Sequence, residues 1–65
     1  MTIKISMAAA RVNAGLTQKQ LADICGVSEA TVISWENGKR VPRADKLPAL
    51  EAAYGISLDY VRFPF

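Results

Sequence analysis

The chain has 65 residues, 51% of them hydrophobic, a formal net charge of +2, one cysteine and no histidine. That length holds one small domain, 1–65, and excludes a large sheet enzyme with an enclosed active site; the apolar content excludes a disordered chain. A lone Cys25 excludes an internal disulfide, and without histidine there is neither an ordinary Cys/His zinc site nor the commonest general base.

Met1 to Ile5 reads as an extended lead. Ser6 caps a first helix, about Ser6 to Ala14, rich in alanine and closed by Gly15. Thr17-Gln18-Lys19-Gln20 has the pattern of a capping box and opens a second helix, with Leu21, Ala22 and Cys25 on its apolar face. Gly26 ends that helix. Ser28 caps a third almost at once, running to about Asn37, where Asn37-Gly38 is a strong stop. Gly38 to Asp45, with Pro42, is a loop. Leu47, Leu50, Ala53 and Tyr54 are spaced as one buried stripe of a fourth helix, with Pro48 in its first turn and Gly55 at its end. Ser57 caps a short fifth helix, Leu58 to about Val61, and Phe63-Pro64-Phe65 has no regular pattern. The expected fold is all-α, a compact bundle of five short helices.

The informative segment is about Thr17 to Asn37. Two short helices meet at Gly26 with almost no connector. That corner needs a residue that accepts positive φ, and a small residue, Ala22, where the helices cross. Leu21, Cys25, Val27, Val32 and Trp35 supply the core beneath both helices, with Cys25 as a buried structural thiol. Gln18-Lys19-Gln20-Leu21-Ala22, then Gly26-Val27-Ser28, then Trp35-Glu36-Asn37-Gly38 resembles the phage-repressor and Cro class of helix-turn-helix proteins, the XRE family. The similarity runs from about Arg11 to Tyr60. It implies a lambda-repressor-like DNA-binding domain whose third helix enters the major groove while the second lies across it.

Helical geometry sorts the third helix independently. Val32 and Trp35 define its buried side. At about 100° per residue, Ala30, Ser34 and Asn37 lie nearly opposite, Ile33 is lateral, and Glu29 and Thr31 flank the stripe. The candidate base readers are Glu29, Ala30, Thr31, Ile33 and Ser34. Glu29 can accept from a cytosine amino group or simply stabilise the helix N-terminus. Ala30 and Ile33 can lie on thymine methyls, or Ile33 can meet another protein, while Thr31 and Ser34 can donate or accept. Where this chain has Glu29, Ala30 and Ser34, the resemblance implies glutamines, so the strong bidentate contacts are missing from this set. The candidate phosphate contacts are Thr17, Gln18 and Lys19 at the N-terminus of the second helix, and Asn37, Lys39, Arg40 and Arg43 after the third. The resemblance places Gln18 on the DNA backbone. It also pairs Arg11 with Glu36 inside the domain; a phosphate is the alternative partner for Arg11.

These residues point to double-stranded DNA as the partner, with an inverted-repeat operator read by a homodimer. Leu58 and Tyr60, in the region through which the family often pairs, and Phe63 and Phe65 beyond them, either form the dimer interface or pack onto their own domain. The expected function is a small phage, prophage or bacterial transcriptional regulator, with repression favoured. The alternative is an antitoxin or anti-repressor-like protein-interaction module on the same fold. No enzyme activity, cofactor, metal or small-molecule ligand is expected: Asp23, Glu29, Glu36, Asp45, Glu51 and Asp59 are dispersed and lack a catalytic context. No apolar run approaches the roughly 18 residues of a membrane span and no secretory segment is recognisable, so a cytoplasmic protein is expected.

Overall fold

A computed structural model describes residues 4–64. In chain order it contains β1 (Ile5–Ser6), α1 (Met7–Asn13), α2 (Gln18–Cys25), α3 (Glu29–Glu36), α4 (Leu47–Tyr54) and β2 (Val61–Arg62). Single 3-10 turns at Ala44–Lys46 and Leu58–Tyr60 flank α4.

Hydroxyl caps start the first three helices. Ser6 Oγ accepts from the Ala9 amide at 3.0 Å, and Ser28 Oγ accepts from the Thr31 amide at 3.2 Å. At Thr17 the capping box is complete: Thr17 Oγ1 accepts from the Gln20 amide at 3.0 Å, and Gln20 Oε1 accepts from the Thr17 amide at 2.8 Å. Such caps contribute about 1 kcal/mol each, which matters for helices of only seven or eight residues. The fourth helix starts differently, with Pro48 in its first turn and the 3-10 turn before it.

The helices bury Met7, Leu21, Val32 and Leu50 almost completely, with Ala10, Ala22, Cys25, Trp35, Tyr54 and Val61 around them. The second and third helices pack tightly on each other, and α4 lies against both α1 and α2. That arrangement leaves the outer side of α3 uncovered.

The described residues form four α-helices rather than five. The segment expected as a fifth, Leu58 to Val61, makes one 3-10 turn and then leaves the helical path. Glu51 Oε2 accepts from the Leu58 amide at 3.0 Å and so pins the start of that turn to α4. Val61 then enters β2, which pairs in parallel with β1, Ile5 opposite Val61 and Ser6 opposite Arg62. The buried Val61 side chain drives this choice, because the extended path brings it into the core. Of the extended lead expected over Met1 to Ile5, Ile5 lies in a paired strand, and residues 1–3 fall outside the described residues. With two residues per strand, the ladder leaves the all-α class intact. The loop after α3 is also shorter than expected, since Ala44 and Asp45 already belong to a 3-10 turn.

Candidate nucleic-acid interface

The corner between α2 and α3 is built from backbone geometry. Gly26 is left-handed, with φ 71° and ψ 33°. The Val27 amide then donates to the Ala22 carbonyl at 3.0 Å and the Gly26 amide to the Asp23 carbonyl at 3.4 Å. This double closure satisfies the last carbonyls of α2 as the chain reverses. Ser28 caps α3 immediately afterwards, and buried Ala22 lets the two helices approach.

The corner fixes which side of α3 faces out. Val32 and Trp35 point into the core, while Glu29, Ala30 and Ile33 are exposed. Thr31 is half-buried, and its hydroxyl lies 2.9 Å from Ser28 Oγ, so it is engaged within the cap. Ser34 is half-buried rather than fully outward. The chain folds back over it after the helix, where the Lys39 and Arg40 amides donate to the Ser34 carbonyl at 2.9 and 3.3 Å. The open strip of α3 is therefore Glu29, Ala30 and Ile33, with Thr31 and Ser34 at its margins.

A polar cluster locks α3 to the start of the domain. Arg11 Nε donates to Glu36 Oε2 at 2.8 Å, and Arg11 Nη1 donates to the Leu16 carbonyl at 2.9 Å. Gln18 Nε2 donates to Glu36 Oε1 at 3.1 Å. The Arg11 and Glu36 side chains are only 15% and 7% exposed. The Gln18 bond is absent from the sequence reading, because residues 18 and 36 share no helix and no local pattern links them. It turns the Gln18 side chain toward Glu36. At the first turn of α2, the Gln18 and Lys19 backbone amides have no hydrogen-bond acceptor among the described residues. Those amides and the helix dipole are what α2 offers an anion.

The basic groups divide. Lys19 pairs with Asp23 at 3.9 Å and Arg43 with Asp45 at 3.6 Å, all well exposed. Exposed pairs of this kind contribute less than about 1 kcal/mol and are readily exchanged for a phosphate. Lys39 and Arg40 are exposed and make no salt bridge among the described residues, and Asn37 is exposed at the C-cap of α3. Lys46, part of the same basic stretch of sequence, sits elsewhere. It is half-buried, its Nζ 3.9 Å from where a Cβ on Gly26 would lie, near the negative end of α2. Burial pushes the Cys25 thiol up, with the Lys46 charge pulling the other way.

A model described as helix-turn-helix matches residues 7–61. The chain belongs to the helix-turn-helix family. It is a DNA-binding helix-turn-helix protein of the XRE, Cro/CI-like kind. The matched span starts with α1 and reaches the first residue of β2, so all four α-helices of this helix-turn-helix domain lie inside it.

The residues considered for pairing of two such domains separate by burial. Leu58 and Phe63 are half-buried and pack against their own core. Tyr60 is 53% exposed. Phe65 lies outside the described residues. No helix of the described residues is long and apolar enough to cross a membrane.

Proposed function

We propose that this protein is a sequence-specific transcriptional repressor of the phage, prophage or bacterial type, acting as a homodimer on an inverted-repeat operator. The observation that carries the reading is the juxtaposition of three features around one face. The exposed strip Glu29, Ala30 and Ile33 runs along α3. The open amides of Gln18 and Lys19, beside Thr17, lie at the head of α2. Asn37, Lys39, Arg40 and Arg43 follow the end of α3.

In this reading α3 enters the major groove. Glu29 meets a cytosine amino group, Ala30 and Ile33 meet thymine methyls, and Thr31 and Ser34 contribute at the edges. The groups at both ends grip phosphates on either side of the groove and set the register. Arg11 and Glu36 act from within, holding α1, the head of α2 and the end of α3 in fixed relation. Tyr60, with Ile56 on the same α4–β2 connection, supplies the dimer surface, and a second half-site doubles the contacts.

Selection of bound sequences from random duplexes tests the reading. The expected winners are inverted repeats whose half-sites lie about 10 base pairs apart, or a multiple of that. Enrichment of single half-sites would overturn the dimer, and no enrichment over random duplex would overturn sequence-specific repression.

A further inference from the structure

We propose that Val61–Pro64 is a positioning strap for the phosphate-gripping loop after α3; this rests on the DNA-facing assignment of that loop. The route of the chain carries the argument. Residues 61 and 62 are tied to β1 by the parallel ladder, and Val61 is buried in the core. Phe63 packs on the core, and the chain then reaches the turn that follows α3. There the Pro64 backbone lies directly against Gly38. A Cβ built on Gly38 would stand 2.7 Å from the Pro64 carbonyl oxygen and 3.4 Å from its Cβ.

Gly38 is the hinge of the loop that carries Lys39, Arg40 and Arg43. Its φ is +77°, and the Lys39 and Arg40 amides immediately after it bond back to the Ser34 carbonyl at 2.9 and 3.3 Å. The loop is held again at Pro42, which is buried. Between those two points Lys39 and Arg40 project into solvent. The strap thus braces the hinge from outside, and the direction in which the two cations leave the helix end depends on it. Glycine is required at this position twice over, for its backbone angle and for the space that Pro64 occupies.

The same chain supplies a control. Gly55 has nearly the same backbone, φ +72°, but a Cβ there would meet nothing within 4 Å. Asparagine tolerates the left-handed region, so Gly55→Asn isolates the backbone term while Gly38→Asn adds the collision with Pro64. A third variant, Pro64→Gly, loosens the strap without adding any atoms.

Two readouts on the full chain decide the matter. Hydrogen exchange of the Lys39 and Arg40 amides in the free protein should accelerate in Gly38→Asn and Pro64→Gly, beyond any change in global unfolding, and not in Gly55→Asn. Binding to any duplex should weaken about tenfold at 0.1 M salt in the first two variants, with a salt slope lower by about one and unchanged base preference. Wild-type exchange rates at both amides in folded Gly38→Asn and Pro64→Gly would overturn the strap. So would exchange that accelerates equally in Gly55→Asn. Accelerated exchange with unaltered DNA affinity would overturn its role in binding. A wild-type protein that binds no duplex would instead overturn the DNA reading, and the exchange measurement would still judge the brace.

Discussion

Single side chains carry more of this fold than their number suggests. Arg11 is the clearest case. It is the charged partner of a Glu36 side chain that is 7% exposed, and it also ties the Leu16 carbonyl. Arg11→Ala leaves that carboxylate with Gln18 as its remaining partner, and loss of one member of such a pair costs about 3–5 kcal/mol. A domain of this size has a total stability of about 3–10 kcal/mol, so urea titration should find Arg11→Ala largely unfolded at 37 °C. Tyr54 predicts the opposite sign. Its ring is buried, 5% exposed, and its hydroxyl makes no hydrogen bond among the described residues. Stranding a buried polar group costs about 1–3 kcal/mol, so Tyr54→Phe should unfold at an equal or higher temperature. The same hydroxyl sets an alkaline limit. Burial raises it far above the usual tyrosine range, helped by the negative charge of Glu36, and burial also raises the Cys25 thiol. In the unfolded chain both groups ionise near their ordinary values, while in the folded protein each holds its proton to higher pH. Stability is therefore complete below about pH 8.5 and falls as pH rises beyond it, by up to about 1.4 kcal/mol per pH unit for each group. Urea midpoints measured from pH 7 to 11 should show the decline, with a shallower fall above pH 10 in Tyr54→Phe.

At the level of elements, the helix-turn-helix was legible because local chemistry and the hydrophobic stripe agree there. Thr17, Gly26 and Ser28 mark ends that the backbone uses, and Val32 and Trp35 orient α3 without reference to any other part of the chain. The sequence was silent where a contact joins distant segments. Two-residue strands have no period to read, so Ile5–Ser6 and Val61–Arg62 could not be matched. The Gln18–Glu36 bond was hidden for the same reason, and no local pattern places Lys46 beside Gly26. Ser57 was rightly a cap, yet one turn is all that fits before Val61 must be buried. Two predictions belong to this scale. Replacing Arg40 and Arg43 together by alanine should weaken binding to every duplex and reduce the salt slope by about 1.8, measured by fluorescence anisotropy across a salt series. Ala30→Arg, on the exposed strip of α3, should change which half-site is selected while the circular dichroism spectrum stays that of the parent.

For the molecule as a whole, the helices supply the bulk of the core and the ladder ties residues 5–6 and 61–62 to each other beside it. The Cα radius of gyration, 10.6 Å, is close to the roughly 10.7 Å expected of a compact domain of this length. The binding face therefore rests on one small body, and anything that loosens the ladder or the Arg11–Glu36 pair is felt at α3. The ladder also has a kinetic meaning. The α2–α3 corner joins residues a few positions apart, whereas Ile5 meets Val61 only after nearly the entire chain has been drawn into a loop. Loop closure makes that contact the slowest to be rewarded, so the helical corner should form in the folding transition state and the ladder after it. In stopped-flow chevrons, Val61→Ala should leave the refolding arm almost unmoved and accelerate unfolding, while Val32→Ala should slow refolding. The two strands, last to be stitched in, would then be the first to come undone, and the lifetime of the folded protein would be set at their seam rather than at the helices that meet DNA.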